Sequence, residues 1–190
     1  MGRHTSFELT EVLSQAMDLF WRLGYASTSM RHVEEVTGLN PGSLYHHFSS
    51  KEGLYKAVIE HYYTAILQPR LYHYRHTASP RECLRRFFTT SYRHFPAKEY
   101  RGHCLLLLAV VETKHHDDLS PQFQQYISEL KQDFTAILTL DTELKVPETS
   151  ADYLFECYIA LQFYACLNPS RKFLDNKVRV FFERLTLLDR

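Results

Sequence analysis

Apolar residues recur along this chain at intervals of three and four, and nowhere do they alternate as a half-buried strand requires. Leu9, Val12, Leu13, Ala16, Phe20 and Leu23 keep helical spacing and predict a first helix from about residue 7 to Gly24. Met30, Val33 and Val36 mark a short second helix, opened by Thr28 or Ser29 and closed by Gly38, a residue suited to the left-handed backbone of a helix end. Asn40 caps a third helix. Pro41 sits at its first position, where a missing N–H costs nothing, and Leu44 and Phe48 face inward. A fourth helix, about Lys51 to Leu67, turns Leu54, Ala57, Val58, Ala65 and Ile66 inward until Gln68-Pro69 interrupts it.

Further along, Ser79-Pro80 opens a helix with Leu84, Phe87, Ser91 and Phe95 on one side, halting near Pro96. The next, about Gly102 to Thr113, is apolar nearly all round and is therefore expected at the centre of the bundle. After the polar loop His115 to Leu119, Ser120-Pro121 opens a helix carrying Phe123, Ile127, Leu130, Phe134 and Ile137. Asp141 to Pro147 is a break. The last two helices, about Glu148 to Leu167 and Ser170 to Leu188, are separated only by Asn168-Pro169, which implies an antiparallel hairpin. Leu154, Tyr158, Leu161, Ala165, Phe173, Val178, Phe181, Phe182 and Leu185 give that hairpin more apolar surface than one inward stripe requires, and a homodimer interface would absorb the excess. The expected fold is all-α. Residues 1–50 are expected to form a small three-helix domain containing a helix-turn-helix, and residues 51–190 a larger helical bundle.

The DNA assignment rests on what the third helix leaves outside. Ser43, Tyr45, His46 and His47 face water, a poor use of aromatic and imidazole side chains unless a partner covers them. A helix N-terminus offers unpaired N–H groups and about half a positive charge, so the polar residues from Asn40 to Tyr45 suit phosphates and base edges. The series G-Y-x-x-T-S-M, then G-x-x-x-G-S-L-Y-x-H-F, then K-E-x-L resembles the N-terminal domain of TetR/AcrR-type transcriptional regulators. Leu19, Phe20, Gly24, Tyr25, Thr28, Ser29, Met30, Gly38, Gly42, Ser43, Leu44, Tyr45, His47, Phe48, Lys51, Glu52 and Leu54 carry the resemblance over about residues 8 to 56. It implies that Arg31, Pro41, Gly42 and Ser43 face base edges, and that Tyr45, His47 and Lys51 hold phosphates. Ser29, Asn40 and His46 complete the expected DNA surface. Arg31 is suited to guanine O6 and N7, and hydroxyl, imidazole and ammonium donors to phosphate oxygens. The resemblance also implies that residues 1–50 are a helix-turn-helix DNA-binding domain and residues 51–190 a helical ligand-binding and dimerisation domain, without identifying the ligand.

Charge complicates the picture. Net formal charge is zero, where a nucleic-acid binder is often basic overall. Residues 1–61 carry five Lys/Arg against seven Asp/Glu, and the basic excess falls in residues 62–101, with eight against two. A few well-placed phosphate contacts suffice for such a regulator, and five histidines in the first 61 residues add charge near neutral pH. With 190 residues and 45% hydrophobic content the chain buries a sizeable core. Its longest apolar run, Cys104 to Val111, is far short of a membrane span, and Met1 to Thr5 has no secretory character, so a cytoplasmic protein without membrane contact is expected. Cys83, Cys104, Cys157 and Cys166 lack CxxC spacing and are expected to be reduced core residues.

Other clusters promise less. His115-His116-Asp117-Asp118 reads as a polar loop, since consecutive loop residues rarely converge on one ion, and neither metal nor other cofactor is expected. His73 and His76 read as part of a solvated linker. Arg101-Gly102-His103-Cys104-Leu105 resembles the start of the sixth helix in family members that carry a cysteine there, some of which sense electrophiles or oxidants; the plainer reading of Cys104 is a small buried hydrophobe. Tyr92, Phe95, His103, Cys104, Phe123, Tyr126, Tyr158 and Phe163 are the candidate ligand-pocket residues, with Phe155 and Tyr164 as further aromatics, or else they pack as core. Arg85, Arg86 and Arg93 would suit an anionic ligand or are plain surface charges. The function expected is a ligand-responsive DNA-binding transcriptional regulator, a repressor released from double-stranded operator DNA by a small-molecule effector. The second reading is a small helical enzyme or ligand carrier, but the chain has no G-x-S-x-G, Walker loop or HExxH, so no enzyme is expected.

Overall fold

The computed structural model describes residues 3–92, 103–167 and 169–188. Its helices are α1 (Arg3–Ser27), α2 (Met30–Thr37), α3 (Pro41–Phe48), α4 (Lys51–Tyr62), α5 (Gln68–Thr77), α6 (Pro80–Thr90), α7 (Leu105–Glu112), α8 (Ser120–Leu138), α9 (Pro147–Cys166) and α10 (Arg171–Leu188). Among the described residues there is no strand, and the fold is all-α. The expected stop near Pro96, together with Arg93 and Phe95, lies outside the described residues.

The expected break at Gln68-Pro69 does not occur. A π-type turn at Tyr63–Leu67 joins α4 to α5, and the Gln68 N–H reaches back to the Tyr63 carbonyl. Widening the turn by one residue restarts the hydrogen-bond register, so Pro69 falls in the first turn of α5, where its absent N–H is not missed. The chain therefore stays helical from Lys51 to Thr77.

The helix α1 packs against α2 and α4 on one side and α7 on another. Its buried face is accordingly wider than one stripe: Val12, Ala16, Met17, Leu19, Phe20 and Trp21 are buried, whereas Leu9 and Leu23 at the margins are exposed. Trp21 Nε1 donates to the His103 carbonyl at 3.1 Å, pinning α1 to the segment before α7. On α2, Val33 is buried and Met30 half-buried, but Val36 is exposed, because a helix of eight residues turns little more than one side chain per turn onto α1.

In the larger half, Phe87, Phe88, Phe134, Phe155 and Tyr158 form an aromatic core shared by α6, α8 and α9, with ring centroids 5.3 to 6.0 Å apart. The helices α9 and α10 form the expected antiparallel hairpin: Tyr164 meets Phe173 at the loop end, while Arg184 lies near Tyr153 and Cys157 at the other. Leu154, Leu161, Val178 and Leu185 are core, whereas Phe163, Leu167, Phe173 and Leu187 stay exposed. The central position expected of α7 holds for Leu105, Leu106 and Ala109 but not for Val111, which reaches the surface. Cys83, Cys104 and Cys157 are buried free thiols, but Cys166 is exposed, since the last turn of α9 looks outward.

Candidate nucleic-acid interface

Local chemistry builds the helix-turn-helix. The Ser29 hydroxyl accepts from the His32 N–H at 3.2 Å, and the His32 ring takes the Ser29 N–H in return, a reciprocal cap for α2. Thr28 does not cap; its hydroxyl donates to the Gly24 carbonyl at 2.7 Å. Gly38 ends α2 with φ 68, and its N–H reaches the Glu34 carbonyl. Asn40 Oδ1 then accepts from the Ser43 N–H at 2.9 Å, fixing the N-terminus of α3 with Pro41 in its first turn. Leu44 and Phe48 are buried as expected, while Asn40, Pro41, Gly42, Tyr45, His46 and His47 are exposed and Ser43 is half-exposed. Arg31 stands free of the core, 84% exposed, with only Glu35 for company at 3.2 Å. Such an exposed pair contributes little and yields readily to a better anion.

Lys51 differs from a free surface lysine. Its ammonium lies 3.4 Å from the Ala26 carbonyl and 4.4 Å above the Tyr25 ring, and burial lowers its pKa. Sequence reasoning missed what surrounds it. A Cβ on Gly53 would run into the Phe48 carbonyl, so only glycine lets α4 start this close to the end of α3. Gly24, with φ 78, ends the regular part of α1, and a Cβ there would strike the Glu112 carboxylate of α7. Glu112 Oε2 accepts from the Tyr25 N–H at 3.0 Å and the Tyr55 hydroxyl at 3.3 Å, joining the helix-turn-helix to the bundle. The glycine at 24 and a carboxylate 88 residues later signal nothing to each other in sequence.

Glu52 extends this network by accepting from the Tyr25 hydroxyl at 2.9 Å. Its own backbone N–H, the Ser50 hydroxyl and Tyr25 hold its carboxyl below the usual range. The stability it contributes is therefore present above the unfolded value of about 4.3 and is lost as pH falls through the lower folded value. Acid titration of Glu52→Gln should show a flatter acid limb than the parent, by a modest amount because the side chain faces water. An unchanged acid limb would count against the network.

Comparison with known proteins bears directly on this module. Residues 12–58 match the bacterial regulatory proteins of the tetR family. The HTH-type transcriptional repressor ComR of Escherichia coli K12 is 43% identical over 61 residues, which are 32% of this chain and 29% of ComR. The match thus spans less than a third of that relative. The HTH-type transcriptional regulator YezE of Bacillus subtilis is 26% identical over the full length of both chains. A solved cysteine mutant of the TetR family transcriptional regulator CifR, complexed with 26-bp double-strand operator DNA, is 25% identical and superposes with a TM-score of 0.80, over 92% of this chain and 95% of CifR. The N-terminal domain is thus that of the tetR family, and the chain as a whole shares its fold with the CifR structure. Sequence agreement is strongest in the helix-turn-helix, where identity to ComR reaches 43%, against 26% over the full length shared with YezE.

In the bundle, the candidate ligand residues do not converge on one cavity. Tyr92 ties α6 to α10 by donating to Asp175 Oδ1 at 2.8 Å. Phe123 packs on Tyr55, Tyr126 stacks on Tyr63, and Tyr158 belongs to the aromatic core. His103, Cys104 and Phe163 do come together, with Leu107, Val111 and Gln162, around a cavity of about 80 Å³ between α7 and α9. Arg85 and Arg86 both pair with Glu82, so neither presents a free charge there. Among the described residues no three His, Cys, Asp or Glu side chains gather as a metal site would need, and no helix is long and apolar enough to cross a membrane.

Proposed function

We propose that the protein is a ligand-responsive, sequence-specific DNA-binding transcriptional regulator, a homodimeric repressor released from its operator by a small molecule. The observation that carries this reading is α3: capped by Asn40, free at its N-terminus, and presenting Tyr45, His46 and His47 to solvent. Residues 1–50 serve as the DNA module and residues 51–190 as the effector and dimerisation module, in the cytoplasm where bacterial operators lie. Two recognition helices must sit about 34–36 Å apart, or a multiple of that, to reach successive major grooves. A ligand that binds one spacing better than the other shifts affinity without touching DNA. The relatives are transcriptional regulators, which supports this reading over a helical enzyme or carrier. A gel shift with the DNA upstream of the gene separates the two, since a carrier gives no specific complex.

Within the interface, Arg31 with Pro41, Gly42 and Ser43 reads bases, and Ser29, Asn40, Tyr45, His46, His47 and Lys51 position the backbone. Arg31→Ala should cost about 1–3 kcal/mol of operator binding and relax specificity at one base pair. Lys51→Ala should weaken all sequences alike and lower the salt slope by about one, and it should also cost some stability because the ammonium holds the end of α1. Operator titrations that are unchanged in both variants would overturn these assignments.

A further inference from the structure

We propose that the small molecule bound by the C-terminal bundle is an organic monocarboxylate with an apolar body, held by Arg70 and Tyr158. This rests on the effector reading above and names the chemistry of that effector.

Arg70 follows Pro69 in the first turn of α5, and its guanidinium lies 4.5 Å over the Phe87 ring. Its Nε and Nη2 are buried with no hydrogen-bond partner. These two N–H groups form one edge of the guanidinium, spaced for the two oxygens of a carboxylate. Arg85 uses that same edge on Glu82, at 2.6 and 2.8 Å. Among the described residues no carboxylate meets the edge of Arg70. Holding that edge out of water without an acceptor is costly, and the ring beneath it offsets only part of that cost.

Tyr158 supplies a second donor. It is completely buried against Phe87, and its hydroxyl, beside Cys104 and the Arg70 guanidinium, makes no well-formed hydrogen bond. Burial, then the nearby Cys104, push its phenol well above the usual value, while the Arg70 charge pulls the other way, so the group stays protonated and able to donate. One turn later on α9, Gln162 is 2% exposed and lines the 80 Å³ cavity with Cys104. Its Nε2 donates to the Ser91 hydroxyl, which leaves Oε1 unpartnered. The Tyr62 hydroxyl lies 3.6 Å from Cys104 Sγ, closing the polar cluster. Cys104 is thus common to the cavity wall and to the neighbourhood of Tyr158. The rest of that wall is Leu107, Leu108, Val111 and Phe163, apolar side chains that suit a hydrocarbon or aryl body. A single guanidinium edge with neutral phenols matches one negative charge better than a phosphate dianion. Arg70 also stands on the unbroken helical stretch that begins at α4, so a ligand drawing on it acts on the element supporting the recognition helix.

The test is thermal shift and calorimetry on the full-length protein with acetate, butyrate, benzoate and phenylacetate, each against its neutral amide, and with inorganic phosphate. At least one carboxylate at millimolar concentration should raise the melting temperature by several degrees, and the amides and phosphate should not. Arg70→Met should abolish the shift while the unliganded variant melts no lower than the parent, an outcome a purely structural arginine would not give. Arg70→Lys keeps the charge, loses the planar edge and should lose most of the affinity, and Tyr158→Phe should weaken binding about tenfold. The proposal is overturned if none of the carboxylates binds, if amide or phosphate binds as well, or if the shift survives in Arg70→Met. Operator titration run alongside separates the two readings. Carboxylate binding that leaves operator affinity unchanged upholds the site and removes its effector role, whereas absence of any operator complex fails the regulator reading and leaves the carboxylate site standing.

Discussion

Phe163→Asp and Leu187→Asp should each convert the protein to monomers whose operator affinity is lower by about 100-fold or more. Both side chains are mostly exposed, Phe163 on α9 at 59% and Leu187 on α10 at 55%, and Leu167 and Phe173 add to the same hairpin's uncovered apolar surface. A carboxylate costs little there in a lone protomer. Buried against a second hairpin in a four-helix interface it would be desolvated without a partner. Operator affinity falls because a dimer's second module binds at a high effective concentration, an advantage of about 10²–10⁴ that a monomer forfeits. Leu161, part of the hairpin's apolar surface in sequence, is fully buried, so its replacement tests folding rather than assembly. Sedimentation and operator titration decide the matter. A parent protein that is monomeric at micromolar concentration, or Asp variants that remain dimers, would refute the interface.

Glu112→Ala should destabilise the protein by about 2–3 kcal/mol and loosen the seat of the helix-turn-helix on the bundle. One carboxylate oxygen takes the Tyr25 N–H and the hydroxyl of the fully buried Tyr55. Removing it strands both donors. The Tyr55 phenol is already pushed up by burial and then by Glu112, so it cannot respond by ionising. For a chain of this length each kcal/mol lowers the melting temperature by about 2–4 °C. Glu112→Gln keeps an acceptor oxygen and should fall between parent and alanine. If Glu112→Ala unfolds at the parent's denaturant midpoint, the junction contributes nothing and the coupling between module and bundle must run elsewhere.

The parts of this protein legible in its sequence are those decided within about four residues. Ser29, Gly38, Asn40 and Pro41 act on backbone groups one helical turn away, so the boundaries of α2 and α3 follow from their order alone. The same range sets the starts at Pro80 and Ser120 and the hairpin of α9 and α10. Periodicity also identified which face of a helix is apolar, but not how many neighbours cover it. Leu23 and Val36 keep the spacing of core residues and are exposed, whereas Met17 and Trp21 are buried because α7 packs on a second side of α1. Proline at 69 signalled a break, and only the packed bundle decided that a π-type turn would absorb it.

Sites assembled from distant segments left no local trace. Glu112 meets Tyr25 across 87 positions, Gln162 meets Ser91 across 71, and Gly53 is required by the path of a neighbouring carbonyl rather than by its own helix. The candidate ligand residues were chosen by type, and the fold assigned some of them to packing: Phe123 and Tyr126 fill the spaces between helices. In sequence Arg70 is only the first charge of the basic, aromatic stretch Arg70 to His76, and a basic residue in such a stretch is ordinarily solvated. By itself the sequence determined an all-α chain and a third helix with an exposed, capped N-terminus, because caps and turns are local. Tertiary structure alone decided which charges lose their water, since desolvation depends on every segment packed around a side chain and not on its neighbours in the chain.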